Sequence, residues 1–547
     1  MPSWWPREQL GTLAELFRNP QLRRLELAWG GYYLGEWTHF VALSIYAFHS
    51  GGATAVGVFG LVRMGAAAVA LPFGSMLTDR YPRQRVLLAM YAARAAALAA
   101  TALALYDGRP RALVFALAAL AAVVAAPVRP ATMSLVPLLA RSPQELVAAN
   151  VSSSFFEGVG TFAGPVIGGV LSATAGIDVA VAAAAAMYVG CAVLVGAIRR
   201  EGEVAVRPRT ENRLDELVRG ARTLLEEPRP RLIVLLFASQ ALVRGLLNVL
   251  LVVAALDLLG MGESGVGWLN AALGAGGLVG GVLAMGLVRR RRLAGPFGLA
   301  LVLWGAPIAL VGAWPRTGWA LVCLGIVGIG NALLDVSGFT LLQRTVDEHV
   351  LGRVFGVFEI LVASAVAVGS LLGSVQVAAI GIRPAMVITG LLLPALALLS
   401  YPRLRAIDDA SQVSEEQVAL VSATPLFAPL PVTTLERVSA CLLEVTAKAG
   451  ATVVSEGTPG ELFYVISRGE VDVLRNGLHL RTLGPGDYFG EIALLQNVSR
   501  TATCVARTDV ELYALNRVRF VAAVGGDLRS SAAAEDVIAA RLGGRDS

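Results

Sequence analysis

The chain has 547 residues, of which 56% are apolar and 16% are charged, whereas about 25% of the residues in an ordinary soluble protein are charged. With a mean hydropathy of +0.66, this composition excludes a purely soluble enzyme. The formal charge of +5 divides into +7 for residues 1–420 and −2 for residues 421–547, so we expect a separate soluble domain at the C-terminal end.

The first 401 residues are dominated by apolar stretches. A transmembrane helix needs about 20 mostly apolar residues, and the sequence predicts twelve such spans before residue 402. We expect no cleaved signal peptide, because no small-residue cleavage site follows the first span. The predicted spans are 27–49, 54–77, 86–106, 112–128, 153–174, 179–198, 232–256, 265–288, 296–314, 318–337, 354–379 and 384–401.

Arginine placement predicts the orientation of these spans. With a cytoplasmic N-terminus, the inside loops and the N-terminal segment hold 24 Arg and the outside loops hold four. This bias follows the positive-inside rule, so we expect both termini in the cytoplasm and the protein in a bacterial cytoplasmic membrane.

The spans of residues 1–401 form two halves, about 25–199 and 232–401. The charged loop between them includes an amphipathic stretch, 212–225, which is suited to the membrane surface. Two six-helix halves are typical of secondary transporters.

The loop between spans two and three carries a charged motif, Ser75-Met-Leu-Thr-Asp-Arg-Tyr-Pro-Arg-Gln-Arg85. It resembles the loop signature of the major facilitator superfamily, written G-x-L-A-D-R-x-G-R-R, at Leu77, Asp79, Arg80 and Arg83. Ser75 and Pro82 stand where the signature has glycine, although Gly74 is adjacent. The resemblance implies a gating-loop role for Asp79, Arg80 and Arg83. The alternative is a solvated charged loop that obeys the positive-inside rule.

The fifth span carries a glycine-rich motif that is similar to g-x-x-x-G-P-x-x-G-G of the same superfamily. Every specified position matches: Gly160, Gly164, Pro165, Gly168 and Gly169. In that superfamily the pattern is associated with exporters that exchange substrate for protons. Glycines allow close helix contact, and proline removes one helix hydrogen bond, so a generic tight helix crossing is the alternative. The stretches 127–131, 148–150 and 352–355 are also similar to the branch that contains siderophore and multidrug exporters.

Ionisable residues inside spans are costly, and we treat them as candidates for coupling or transport. Glu36 and His39 are three residues apart on one helical face, where they could carry a coupling proton. A structural pair between helices is the alternative for every candidate. Asp257 and Arg129 are predicted at membrane edges and carry less weight. The further candidates are Arg63, Arg94, Glu157, Arg244, Asp335 and Glu359.

The C-terminal part is predicted to contain a polar linker, 402–424, followed by a domain of short strands, 425–547. Asn476-Gly477 between two apolar runs is a strong hairpin signal. The predicted fold class is therefore an all-α bundle of twelve transmembrane helices joined to a small β-roll, or jelly roll, with flanking helices. The predicted strands are 452–454, 463–466, 471–474, 478–483, 502–506 and 511–515.

The stretch from Gly486 to Thr503 contains the most specific motif of the chain. It resembles the phosphate-binding cassette of cyclic nucleotide-binding domains. Gly490 lets the backbone approach a ligand, and Arg500 can pair with the cyclic phosphate. The resemblance implies that Glu491 accepts a hydrogen bond from the ribose 2′-hydroxyl. The alternative is a degenerate barrel that has lost its ligand. The N–H groups that can face the anion belong to Glu491, Ile492 and Ala493.

Thr501 leaves the choice of nucleotide open. In some relatives a threonine at this position contacts guanine and favours cGMP, and others with threonine prefer cAMP. We favour cAMP as the regulatory ligand.

The residues after Phe520 are enough for two lid helices, in which Val537, Ile538 and Leu542 could cap the base. No helix-turn-helix follows the strands, so we expect no nucleic-acid partner.

The positions of lysine and cysteine argue against an ATP-driven pump, a metal site and a disulfide framework. Lys448 is the only lysine and lies in Ala-Lys-Ala, so the chain has no Gly-Lys-Ser/Thr loop for ATP. The cysteines at 191, 323, 441 and 504 show no C-x-x-C pairing, so we expect no metal site and no disulfide framework.

The sequence therefore predicts a transporter and not an enzyme: a proton-coupled exporter of a small molecule, controlled by cAMP or cGMP. The alternatives are a lipid or lysophospholipid translocase under the same control, a membrane sensor that transports nothing, and a carrier whose cargo is the nucleotide. The cargo and the oligomeric state stay open.

Overall fold

The computed structural model describes residues 19–141, 143–198, 213–287, 292–346, 348–410, 415–430, 432–525 and Ser530. It divides into two compact units, which we call the helical unit, Met1–Ile407, and the C-terminal unit, Asp408–Ser547. The proposed lid residues Val537, Ile538 and Leu542 lie outside the described residues.

Thirteen helices begin within the described part of the helical unit. They are α1 (Pro20–Arg80), α2 (Arg83–Tyr106), α3 (Arg111–Ala125), α4 (Val128–Leu139), α5 (Pro143–Thr174), α6 (Ile177–Gly196), α7 (Arg213–Glu226), α8 (Pro228–Val253), α9 (Gly262–Ala284), α10 (Ala294–Ala313), α11 (Thr317–Thr345), α12 (Glu348–Ile380) and α13 (Ile382–Ala410). A π-helical turn, Ala254–Leu258, continues α8, and a 3₁₀ turn, Met285–Leu287, continues α9.

Eleven helical stretches in the described part of the chain are long and apolar enough to cross a membrane. They correspond to the twelve predicted spans, because α1 holds the first two. A straight helix of its 61 residues would be about 90 Å long, three times the hydrocarbon core. The backbone breaks at Gly52, whose φ of 61° and ψ of −154° are not helical, so segments 20–50 and 53–80 form two arms.

The structure differs from the prediction at both ends of the bundle. Asn19 caps α1, because its Oδ1 accepts a hydrogen bond from the Gln21 N–H at 3.1 Å, so the first helix begins well before residue 27. At the other end α13 continues through the start of the predicted linker to Ala410, and a further helix, α14 (Glu415–Ala423), lies inside that linker. Leu404 is fully buried, which explains why the helix does not stop at 401.

The central loop helix α7 has a protein partner. The location of this stretch on the membrane surface stays a prediction. Within the protein, α7 lies against α12, where a Cβ on Gly220 would be 2.5 Å from the carbonyl oxygen of Arg353. Leu224 is buried, whereas Val218 and Leu225 are exposed. The amphipathic pattern therefore serves protein packing on one side of the helix and leaves part of its apolar surface uncovered.

The glycine motif of α5 makes contacts on two sides. Gly160, Gly164 and Gly168 face α1, and a Cβ on Gly168 would lie 2.5 Å from the Thr38 carbonyl oxygen. Gly169 faces α9, and its Cβ would lie 2.9 Å from the Cα of Gly267. Helix α5 thus lies between a helix of the first half (20–198) and a helix of the second half (228–407).

A second contact joins the two halves near the same end of the bundle. Gly60, on the second arm of α1, lies so close to α12 that an added Cβ would be 2.6 Å from the Cβ of Ser370. Both this contact and that of Gly169 with Gly267 lie within a few turns of the helix ends opposite Pro20. Close backbone contact therefore holds the halves together at that end.

The described part of the C-terminal unit contains the strands β1 (Leu443–Ala447), β2 (Thr452–Val454), β3 (Leu462–Arg468), β4 (Val471–Arg475), β5 (Leu478–Leu483), β6 (Tyr488–Phe489), β7 (Thr503–Ala506) and β8 (Val510–Asn516). They form two four-stranded antiparallel sheets, with strand orders β1-β8-β3-β6 and β2-β7-β4-β5. Asn476 and Gly477 have φ of 50° and 78°, so the predicted β4–β5 hairpin is present with both turn residues in the left-handed region.

Helices flank these sheets and share a core with them. The helices α14, α15 (Val432–Ala440) and α17 (Arg517–Gly525) contribute to one apolar cluster with β3, in which Phe463 and Phe520 stack at 4.7 Å between ring centroids. A second apolar cluster includes Ile466 of β3 and Val471 of β4. The short helix α16 (Glu491–Leu495) follows β6.

We predict that Gly168→Ala destabilises the helical unit, because the new Cβ would press on the backbone of Thr38. Overpacking of this kind typically costs about 1–3 kcal/mol. Thermal unfolding of the purified protein in one detergent measures the effect. Gly281→Ala is the matched control, since nothing lies within 4 Å of its Cβ position; equal unfolding temperatures for the two variants would contradict the tight α1–α5 contact.

Candidate functional site

The predicted phosphate cassette forms a compact turn in the C-terminal unit. Strand β6 ends at Phe489, Gly490 turns the chain with φ of 92°, and α16 begins at Glu491. A Cβ on Gly490 would lie 3.0 Å from the Leu462 carbonyl oxygen and would collide with Nη1 of Arg500. Both the dihedral angle and the space therefore require glycine at this position.

Arg500 lies inside this turn and is only 6% exposed. Its Nη1 donates to the Gly490 carbonyl at 3.0 Å, and its Nη2 donates to the Leu462 carbonyl at 2.6 Å. The backbone of Arg500 is held as well, because its N–H donates to the Thr458 carbonyl at 2.8 Å. Neutral acceptors thus position a side chain that has five N–H donors in total.

Burial lowers the pKa of Arg500 from its usual range, although Tyr464, Cys504 and Glu491 act in the opposite direction. Arginine nevertheless stays protonated in proteins, so the turn holds a buried positive charge. The two carbonyl oxygens that accept its hydrogen bonds compensate such a charge only partly, even with Glu491 within electrostatic range, and a directly bound anion would compensate it better. The first-turn N–H groups of α16 add favourable donors beside it.

The remaining cassette residues lie in the same turn. Glu491 and Ala493 are buried, whereas Ile492 and Thr501 are half-buried. A Cβ on Gly460 would lie 2.6 Å from the Ala493 Cβ. Gly460 was not among the predicted site residues. Its position in Thr-Pro-Gly before strand β3 could have indicated that the backbone there lies close to a neighbouring segment.

In the helical unit, Glu36 lies between two arginines. Its carboxylate forms ion pairs with Arg63, from the second arm of α1, and with Arg94, from α2. Arg94 is buried and also lies over the rings of Tyr32 and Tyr188, at 5.2 and 4.8 Å from their centroids. Three of the predicted candidates are therefore brought together as one cluster within the first half.

His39, the predicted partner of Glu36, has a different hydrogen bond. It is buried, and its Nδ1 lies 2.6 Å from the Gly35 carbonyl oxygen. The hydrogen bond of His39 is therefore to its own helix. The coupling role of the Glu36 and His39 pair stays a prediction.

A second polar group lies in the second half around Asn331. Its Oδ1 accepts hydrogen bonds from Arg244 and from the Trp304 indole, the latter at 3.1 Å. Its Nδ2 donates to the Asp335 carboxylate at 3.0 Å. Asn331 therefore connects two of the predicted candidates, and sequence analysis missed it because asparagine carries no charge to mark it inside an apolar span.

The carboxylate of this group is within electrostatic range of charged residues of the first half. Asp335 is within electrostatic range of Arg244, Glu157 and Arg129. Arg129 is also within range of Glu157 and Glu359. Charged groups of α4 and α5 in the first half are therefore within electrostatic range of charged groups of α11 and α12 in the second half.

Arg129 has a different position from the one that the sequence indicated. It was assigned to a membrane edge, but it lies inside the membrane-length stretch Arg111–Leu139, because α4 continues the fourth span beyond residue 128. One signal for this position was available in the sequence. Glu157, Asp335 and Glu359 are carboxylates inside predicted spans, and an unpaired carboxylate is costly there, so a cation is required nearby.

Glu26 is a charged residue that sequence analysis missed. It was placed just before the first span, yet it is fully buried in α1, and both its carboxylate oxygens lie 2.8 Å from the Ser153 hydroxyl. The available signal was Asn19-Pro20, which marks a helix start upstream of Glu26.

The loop motif between α1 and α2 is described in part. Arg80 ends α1 and is exposed, and Arg83 begins α2 and is half-buried, whereas the side chain of Asp79 lies outside the described part of the chain. Gly74 packs closely where the motif glycine is missing, since its Cβ would lie 2.9 Å from the carbonyl carbon of Ala126. The gating role of the motif stays a prediction.

Two family patterns match the chain. The pattern described as Major Facilitator Superfamily matches residues 27–370 and, in a second alignment, 233–443. The pattern described as Cyclic nucleotide-binding domain matches residues 444–525. The two matched regions meet at residues 443 and 444. The two compact units are divided earlier, between residues 407 and 408, because α14 and α15 share the core of the C-terminal unit.

Relatives are similar to short parts of the chain. A cAMP-dependent protein kinase regulatory subunit from Aspergillus niger is 34% identical over 133 residues, 24% of this chain and 32% of that protein. The cGMP-dependent protein kinase egl-4 of Caenorhabditis elegans is 42% identical over 80 residues, 15% of this chain and 10% of that protein. The chain thus spans about a third or less of the length of these curated relatives. The regulatory domain of Toxoplasma gondii PKA, solved with cAMP, is 32% identical, and the match covers 20% of this chain and 43% of that one, with a TM-score of 0.19.

We predict that Glu36→Gln strongly destabilises the helical unit. The change leaves two buried arginines, Arg63 and Arg94, without their carboxylate, and leaving a buried charge unpaired typically costs about 3–5 kcal/mol. The unfolding temperature in detergent measures the loss, with Glu263→Gln as the control at a more exposed pair with His49. If Glu36→Gln unfolds at the wild-type temperature, the cluster has no structural role, and the coupling hypothesis for Glu36 gains weight.

Proposed function

We propose that this chain, which belongs to the Major Facilitator Superfamily and carries a C-terminal cyclic nucleotide-binding domain, is a secondary transporter controlled by a cyclic nucleotide. The observation that carries the proposal is Arg500, a buried guanidinium held beside Gly490 and α16 in a unit that is covalently joined to a two-half bundle of membrane-length helices.

The C-terminal unit supplies the control in this proposal. Arg500 would bind the cyclic phosphate together with the first N–H groups of α16, and Glu491 would accept a hydrogen bond from the ribose. We propose cAMP as the preferred nucleotide. Relatives of both kinds are similar to this part of the chain, a cAMP-dependent kinase regulatory subunit at 34% identity and a cGMP-dependent kinase at 42%, so cGMP is the competing ligand.

The helical unit supplies the transport path. We propose that substrate binds between the halves, beside Asp335 and Arg129, where charged groups of both halves are within electrostatic range. Gly169 and Gly60 make their close contacts at the end of the bundle opposite Pro20. With both termini in the cytoplasm, as the arginine bias predicts, this would be a conformation closed to the outside, and alternating access would require these contacts to open.

The proposal also includes coupling of transport to protons. Glu26 is a fully buried carboxyl group whose hydrogen bonds within the described residues come from the Ser153 hydroxyl. An ionised carboxylate in such a place is costly, because a hydroxyl compensates a full charge poorly. We therefore propose that Glu26 binds and releases the coupling proton, and that the protein exports its substrate in exchange for protons.

Nucleotide binding would change transport through the energy difference between two states of the carrier. A ligand shifts such an equilibrium only by its differential affinity for the states. Couplings between sites are typically about 1–3 kcal/mol, which corresponds to roughly 5- to 150-fold. We therefore expect modulation of the transport rate by cAMP rather than complete control.

A lipid substrate is the second candidate. It is favoured by an apolar groove of about 700 Å³ between α2 and α6, lined by side chains such as Leu88, Ala96, Val189 and Val193. A lipid translocase would move a fluorescent lysophospholipid without a proton gradient, whereas the exporter would depend on the gradient. The same proteoliposomes can test both.

We predict that Arg500→Gln weakens cAMP binding by about 10- to 100-fold, because a charge-assisted hydrogen bond contributes roughly 1.5–3 kcal/mol. Isothermal titration of the full chain in nanodiscs with cAMP and then cGMP measures the affinities. Arg481→Gln, at an exposed arginine of β5, is the control. Equal affinities for both variants, or no nucleotide binding by the wild type, would overturn the sensor assignment.

We predict that Glu26→Gln uncouples transport from the proton gradient, because an amide cannot take up or release a proton at neutral pH. Ethidium accumulation in proteoliposomes with an imposed pH gradient is the measurement, with counterflow exchange as the test that the variant still transports. Glu263→Gln should retain the gradient response. Gradient-driven accumulation by Glu26→Gln at the control rate would refute this role of Glu26.

A further inference from the structure

A cavity of about 540 Å³ opens on the helical unit between the beginning of α8 and the last turns of α13. Three arginines line it: Arg229 and Arg231 from α8, and Arg403 from α13. The apolar part of its lining includes Leu232, Leu235 and Ile407. The cavity is separate from the proposed transport path, because Arg244, the partner of Asn331, lies about 20 Å farther along α8.

The charge of the cavity has one sign. All three arginine side chains are exposed, and the described residues of the lining include no carboxylate. Arg231 donates to the Leu225 carbonyl at 3.0 Å, and the nearby Glu226 is paired with Arg222 at 2.7 Å. Like charges that share one cavity repel each other, so the cavity favours an anion.

The apolar part restricts which anion fits. Leu235 follows Arg231 by one helical turn on the same face of α8, and it is 53% exposed. Helix α8 begins at Pro228 and α13 ends at Ala410, so the arginines lie at the end of the membrane-length segments and Leu235 lies deeper along them. A small soluble anion needs no apolar wall, whereas an amphipathic anion at a membrane surface needs both parts.

We propose that this cavity binds an anionic phospholipid of the adjacent leaflet, with the headgroup phosphate on Arg229, Arg231 and Arg403 and an acyl chain along Leu232 and Leu235. Basic pockets between membrane helices are a general means of binding anionic headgroups. Three clustered guanidiniums beside an apolar strip are complementary to such a lipid in both charge and polarity.

The test compares two neighbouring arginines of one helix. The full chain is purified in a neutral detergent, and its unfolding temperature is measured with dioleoyl phosphatidylglycerol or dioleoyl phosphatidylcholine added. Arg405→Gln removes the same charge two residues from Arg403, at an exposed position outside the cavity lining. We expect phosphatidylglycerol to raise the unfolding temperature of wild type and Arg405→Gln equally, and Arg403→Gln to lose at least half of this increase. The double variant Arg229→Gln/Arg403→Gln should lose it entirely.

Several results would overturn the proposal. If phosphatidylglycerol raises the unfolding temperatures of Arg403→Gln and Arg405→Gln equally, the lipid does not bind at this cavity. If phosphatidylcholine raises the unfolding temperature of the wild type as much as phosphatidylglycerol does, binding does not require an anionic headgroup. If inorganic phosphate at the same phosphorus concentration reproduces the increase, the cavity binds a free anion and not a lipid. If a variant does not fold, the wild type alone still tests the proposal. The increase in its unfolding temperature with phosphatidylglycerol must become smaller as the KCl concentration is raised. An increase that does not depend on salt contradicts a headgroup bound by arginines.

Discussion

Close backbone contact at glycine positions is the constraint on which the helical unit depends. In a bilayer, helices gain little from burying apolar side chains against each other, so packing distance decides their association. Gly160, Gly164 and Gly168 bring α5 against α1, and Gly169 brings it against α9. The same helix therefore belongs to the core of one half and to the contact between the halves, which makes its packing relevant to both stability and transport.

Two groups of charged residues within the bundle have different surroundings. Glu36, Arg63 and Arg94 pair within the first half beside aromatic rings, which is the environment of a structural cluster. Arg129 and Asp335 come from different halves and lie within electrostatic range of each other. Groups that bridge the halves change their surroundings when the halves move, and groups within one half do not. This difference directs the proposed substrate site to the second group, whereas the proposed proton site, Glu26, has its hydrogen-bond partner Ser153 within the first half.

In the C-terminal unit, a buried cation depends on the conformation of one glycine. Arg500 is held by two carbonyl oxygens, and the positive φ of Gly490 brings one of them into place. Because hydrogen bonds within the chain define this turn, the proposed anion binding would require little rearrangement of the backbone. Such preorganisation favours affinity, since the cost of ordering the site is already met in folding.

Much of this protein follows from periodicity and local motifs. Apolar span length predicted the membrane-length segments, Asn476-Gly477 predicted its hairpin, and the cassette from Gly490 to Arg500 was recognised from its residue pattern, because each of these features depends on neighbours along the chain. The partners of the charged groups emerge only when the chain is folded. Folding pairs Glu36 with arginines 27 and 58 residues away, places Arg129 near Asp335 of the second half, and buries Glu26 beside Ser153. These contacts join residues far apart in the chain, and no local spacing can specify them.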